Sequence, residues 1–163
     1  MKRGQAHSQV FVYILTVIIT GAILIFGYNS VDHIINDTKK VEMAEFKESI
    51  ESDFKKMSSD YGSVKTKTYN VPSSVKEICF YQKGDDPEFH AMPEDLNPLI
   101  VDSVRDTDNN FFLVFGDESI DAMNLGKVVI SEEDEMTVCM KPTGGRIKLA
   151  LEGLDDGVSI STA

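Results

Sequence analysis

The chain opens with an apolar run that has no polar face. From Val10 to Tyr28 it reads VFVYILTVIITGAILIFGY, nineteen residues without a charge. As a helix rising 1.5 Å per residue this run spans about 28 Å, close to the ~30 Å hydrocarbon core of a bilayer. Thr16, Thr20, Gly21 and Gly27 interrupt it, and a helix returns threonine hydroxyls to its own carbonyls. Apolar side chains fall on every side, the pattern of a membrane-embedded helix and not of one face of a soluble one.

Beyond Tyr28 the apolar residues thin to a helical spacing: Val31, Ile34, Ile35, Val41, Ala44, Ile50, Phe54, Met57 and Tyr61, with Phe46 somewhat off the stripe. Lys, Glu, Asp and Ser fill the intervening positions, which predicts an amphipathic helix. Glu42 with Lys39, and Glu51 with Lys47 and Lys55, stand at spacings suited to surface pairs. No proline occurs before Pro72, so one nearly continuous helix from about residue 8 to about residue 60 is expected, roughly 80 Å long. Gly62 is its expected C-cap. Ile50 to Tyr61 are expected to pack on the following domain, and Val31 to Ala44 to meet other subunits.

From Ser63 the period changes to two. Residues 66–71, 75–82, 111–115, 127–131, 136–141, 147–151 and 158–161 read as short strands, with Thr143-Gly144-Gly145 and Asp155-Asp156-Gly157 as hairpin turns. Asn97 before Pro98 marks a helix start, while the β-branched content of 98–104 fits a strand equally. The predicted class is α+β: one long N-terminal helix, then a small antiparallel β sheet or sandwich. The segments are 1–4, 5–28 (transmembrane), 29–61 (amphipathic) and 62–163 (β domain).

Charge sharpens this division. The formal net charge of −11 conceals a segregation, because no Asp or Glu precedes Asp32. Residues 1–28 carry only Lys2 and Arg3, whereas 29–163 hold 27 acidic and 14 basic side chains, a formal −13. So acidic a domain is a poor match for nucleic-acid phosphates. Basic residues before the span and Asn29, Ser30, Val31, Asp32 after it predict a cytoplasmic N-terminus and an extracytoplasmic remainder. Phe26-Gly27-Tyr28-Asn29-Ser30 offers no small-x-small site for removal of the span as a secretory signal.

Lys2-Arg3-Gly4-Gln5, directly ahead of the span, resembles the class III signal of type IV pilins, whose archaeal members often place Gln after the Gly. The resemblance implies cleavage by a prepilin-type peptidase between Gly4 and Gln5, with the hydrophobic helix kept by the mature subunit. It places Gln9 at the fifth mature position, where many members carry a Glu that pairs with a neighbouring subunit's N-terminus; Gln9 keeps hydrogen bonding but lacks the charge. The overall layout is also similar to uncharacterised single-pass, membrane-anchored proteins of small-genome archaea.

Candidate chemistry in the outer domain is sparse. Walker, Gly-x-Gly-x-x-Gly, His-Glu-x-x-His, Cys-x-x-Cys and Gly-x-Ser-x-Gly patterns are absent. His90 lies among Asp85, Asp86, Glu88, Glu94 and Asp95, a set open to a divalent metal or to an ordinary polar loop. Asp106-Thr107-Asp108-Asn109-Asn110 matches the first half of a calcium loop, but Phe111 stands where that loop needs Gly; an Asx-rich turn explains the same residues. Glu132-Glu133-Asp134-Glu135 reads as a solvated loop. Asn36-Asp37-Thr38 fits an N-glycosylation acceptor, close to the span. Cys79 and Cys139 each fall on the strand face opposite the aliphatic one, where a cross-strand disulfide forms in an oxidising compartment; two separate buried thiols are the alternative.

No catalytic residue, metal or cofactor is therefore expected. The expected function is that of a non-enzymatic, pilin-like envelope subunit partnered by the lipid bilayer and by copies of itself or other pilin-like subunits. The alternative is a permanently anchored binding or accessory protein. An extracytoplasmic hydrolase would rest on His90 and its acidic neighbours alone.

Overall fold

The computed structural model describes residues 5–84, 96–131 and 136–162, with side chains from Val10 onward except at 29 and 32–36. The chain divides into two compact units, Met1–Val41 and Glu42–Ala163. Helix α1, Gln5–Ser58, belongs to both. The class is mixed α+β, as the change of period predicts.

In the first unit α1 buries nothing in the span. Fourteen large apolar side chains between Val10 and Tyr28 are exposed, up to 79% at Phe26. The two hydroxyls are satisfied within the helix: Thr16 Oγ1 donates to Val12 O at 2.7 Å and Thr20 Oγ1 to Thr16 O at 2.8 Å. Val31 and Val41 are also exposed, and Lys40 pairs with Asp37 one turn away, at 3.7 Å.

In the second unit the helix acquires an inner face. Phe46, Ile50, Phe54 and Met57 are buried and Met43 packs beside them, a run at three- and four-residue steps. The predicted stripe holds at Ile50, Phe54 and Met57 and fails at its ends: Ala44 is exposed, Tyr61 is 77% exposed, and Phe46 belongs to the core. α1 stops at Ser58, where Ser58 and Ser59 hydroxyls donate to Lys55 O. Gly62, at φ +73°, is not the helix cap but the turn into the sheet, its N–H donating to Gly153 O at 2.8 Å. Lys47 does not pair with Glu51 along the helix; it reaches Asp121 instead.

Eight strands are found among the described residues: β1 (Val64–Asn70), β2 (Val75–Tyr81), β3 (Phe111–Phe115), β4 (Ile120–Met123), β5 (Val128–Ile130), β6 (Thr137–Met140), β7 (Arg146–Gly153) and β8 (Val158–Thr162). They form two sheets, ordered β1-β7-β8-β5 and β4-β3-β2-β6. Every pairing is antiparallel except β5 with β8. Asp155-Asp156-Gly157 is the β7–β8 hairpin turn, as predicted. Thr143-Gly144-Gly145 is a tight turn, but it carries the chain from one sheet to the other, because β6 and β7 do not pair. β4 is a strand that periodicity misses; it follows β3 through a turn in which Phe115 N donates to Ser119 O at 2.9 Å.

One core joins the inner faces of both sheets to α1: Tyr69, Ile147, Leu149, Leu151, Val158 and Ile160 meet Ile78, Phe80, Phe111 and Leu113 around Phe54. Phe54 stacks on Phe80 with ring centroids 6.0 Å apart. The far face of β2 and β3 is also covered. Helix α2, Pro98–Asp106, lays Ile100 and Val104 on Cys79, Tyr81, Phe112 and Val114. Asn97 and Pro98 decide its helical state: the Asn97 side chain accepts from Leu99 N at 2.9 Å, and proline is pre-set for the first helical position.

Candidate functional site

The sequence-predicted site residues fall in three places. Gly4 lies outside the described residues, as do His90 with Asp85, Asp86, Glu88, Glu94 and Asp95, and the 132–135 loop. Gln5, Gln9 and Asn36 lie within α1, their side chains outside the description. Cys79 and Cys139 are joined.

The disulfide follows from register. Cys79 and Cys139 are direct cross-strand partners on β2 and β6, with Cα atoms 4.1 Å apart. Gln82 N donates to Met136 O at 2.7 Å. Counting back along that ladder, Cys79–Cys139 falls on the closely spaced, non-hydrogen-bonded position, where facing side chains approach most. Cys79 is buried against α2, whereas Cys139 is exposed.

Val10–Tyr28 is long and apolar enough to cross a membrane, and none of it is buried in the protein. Taking a large apolar side chain out of water is worth roughly 1.5–3 kcal/mol. Over fourteen such residues the gain is tens of kcal/mol, far beyond what a charged end or a threonine opposes.

Three clefts of the second unit are walled by described residues that bear charge or hydrogen-bonding groups. One, of about 620 Å³, lies between α1 and β1 and is lined by Glu42, Glu45, Ser49, Tyr69, Asn70 and Pro72 among others. At its base the Tyr69 hydroxyl donates to Asp53 at 3.1 Å, and Asp53 also pairs with Lys67 at 3.4 Å. Burial, reinforced by the Asp53 carboxylate, holds the Tyr69 phenol well above the usual tyrosine range. A second cleft, of about 500 Å³, is ringed by Lys83, Asp108, Lys127 and Asp156, whose charges are matched as Lys83–Asp108 and Lys127–Asp156 pairs. The Lys83 hydrogen bond holds the Asp108 carboxyl below its ordinary value. A third, of about 510 Å³, presents Lys141, Arg146 and Lys148 with Thr68 and Thr143.

The Asp106–Asn110 segment is engaged structurally. Thr107 closes α2 on Ser103 O, Asp108 meets Lys83, and the buried Asn110 side chain donates to Gly126 O and accepts from Leu125 N. Among the described residues no group of three or more His, Cys, Asp or Glu is placed to share a cation. The third cleft escapes motif reading, although the alternation in Arg146-Ile147-Lys148-Leu149 signals two cations on one outward face.

No protein-family model, curated protein or solved structure matches this chain.

Proposed function

We propose that this chain is a pilin-like subunit of a cell envelope. Val10–Tyr28 crosses the membrane with Lys2 and Arg3 on the cytoplasmic side, and the acidic α+β unit stands outside. A prepilin-type peptidase cuts between Gly4 and Gln5, and the mature subunit keeps its helix and meets other subunits. It has no enzymatic role and binds no nucleic acid.

One observation carries the reading: Gly4-Gln5 stands immediately before a helix whose nineteen-residue apolar run is exposed on all sides. The disulfide supports the outer placement, since such bonds persist in oxidising compartments. The positive-inside rule supports the orientation.

N-terminal mass spectrometry of the protein from its native envelope tests the processing: the expected mature chain starts at Gln5. A chain that retains Lys2 and Arg3 refutes it. Protease added to intact cells is expected to cut the acidic unit, and protection of that unit refutes the orientation.

A further inference from the structure

Resting on the reading of the chain as one subunit among copies of itself, we propose that the cationic cleft on β7 is a docking surface for the acidic wall of α1 in a second copy. Along β7 the residues alternate: Arg146 and Lys148 are exposed, whereas Ile147, Leu149 and Leu151 are buried in the core. Pairing register sets Thr68 opposite Lys148 and Asn70 opposite Arg146. Lys141, just past β6, completes the cleft of about 510 Å³.

These three cations stand together in an acidic domain, whereas Lys55, Lys56 and Lys76, which also enter no ion pair among the described residues, lie elsewhere. The unit Glu42–Ala163 contains 25 acidic and 12 basic side chains. Lys47, Lys65, Lys67, Lys83 and Lys127 are each matched to an aspartate. Among the described residues Lys141, Arg146 and Lys148 enter no ion pair and converge on one cleft. The complementary group is on the same surface. Glu42 and Glu45, one helical turn apart and also without an ion pair among the described residues, wall the α1–β1 cleft. The exposed Thr68 lines both clefts, so the acidic wall and the cationic cleft are neighbours along β1.

Each cluster repels itself: like charges one helical turn apart on α1 oppose folding by a few tenths of a kcal/mol, and the three cations around the β7 cleft repel one another by Coulomb's law. Bringing the acidic wall of one copy onto the cationic cleft of the next relieves both. The domains repel overall, but exposed charges are screened beyond about 8 Å at physiological salt, so the local match governs close contact. The contact either closes reciprocally, each wall on the other copy's cleft, or leaves each copy one surface of each kind for further neighbours.

The test is sedimentation of the full chain in non-ionic micelles over a range of protein and salt concentrations. Wild type is expected to associate, less so at high salt. Arg146→Gln/Lys148→Gln and Glu42→Gln/Glu45→Gln are each expected to weaken association about tenfold, two exposed ion pairs' worth. An equimolar mixture of the two variants is expected to form 1:1 dimers and nothing larger, since one intact surface of each kind remains. If net charge alone governed, Glu42→Gln/Glu45→Gln would strengthen association; that result overturns the proposal, as does wild-type behaviour of either variant. A wild-type chain that is monomeric throughout also overturns the docking surface, while a start at Gln5 in the native envelope leaves the processing and anchoring intact.

Discussion

Cutting the Cys79–Cys139 bond tests the outer unit most directly. The bridge closes a loop with a sequence separation of 60. Constraining a loop of that length in the unfolded chain is worth about 4 kcal/mol by the chain-entropy relation. That is a large share of the 5–15 kcal/mol typical of a whole domain. The choice of variant matters, because Cys79 is buried among Ile100, Val104 and Phe112 whereas Cys139 is exposed. Truncating Cys79 would add a cavity to the lost cross-link; Cys139→Ala removes the cross-link and leaves the packing of Cys79 in place. Urea unfolding of the full chain in non-ionic micelles, followed by circular dichroism because the chain has no tryptophan, is the assay. With a slope of about 1.5 kcal/mol per molar urea, the midpoint is expected to fall by roughly 2.5 M. Wild type treated with a reductant should fall by a similar amount. A midpoint change below about 0.5 M in both would refute the reasoning, since no 60-residue constraint would then have been lost.

Three further outcomes follow from other contacts. Tyr69 is held protonated by burial and by Asp53, so its folded-state pKa lies above its unfolded one; that stability is complete below about pH 10 and is lost as pH rises further. Unfolding measured between pH 9 and 11.5 should show the loss, and Tyr69→Phe should flatten it; an equal slope in the variant counts against the assignment. Gly153→Ala would set a Cβ 2.3 Å from Asp60 O and 2.4 Å from Met57 O, where β7 meets the end of α1, and is expected to destabilise by about 3 kcal/mol or more. Gly144→Ala meets open space at φ +60° and should cost only about 1 kcal/mol, so similar midpoints for the two variants would contradict the packing. Ile18→Arg/Ile19→Arg adds roughly 5–7 kcal/mol to membrane insertion and should move much of the protein into the alkaline-carbonate supernatant; undiminished retention would argue against Val10–Tyr28 as the anchor.

What could be read from the residues depended on how local the governing interaction is. The apolar run at 10–28 and the change of period near Ser63 are properties of contiguous residues, and both appear where the pattern puts them. The disulfide was accessible for a similar reason: strand alternation fixes which face each thiol takes, and only their pairing needed the fold. Where the α1 stripe begins was not accessible in this way, although Ile50, Phe54 and Met57 lie on it as their spacing predicts. Ala44 and Phe46 both fit an apolar face within one turn, and the choice is made by Phe111, whose ring lies 6.5 Å from that of Phe46. Lys47 similarly has an acidic neighbour on its own helix, yet Asp121 on β4 takes it, and β4 is four residues long with no fully buried position to announce it. The parallel β5–β8 pair depends on β6 joining the other sheet between them, which no local pattern encodes. The cationic cleft belongs to this same group. Arg146 and Lys148 are recognisable on one face of a strand, but the cleft they share with Lys141 is completed by Thr68 of β1 and Thr162 of β8, which only the strand order brings alongside.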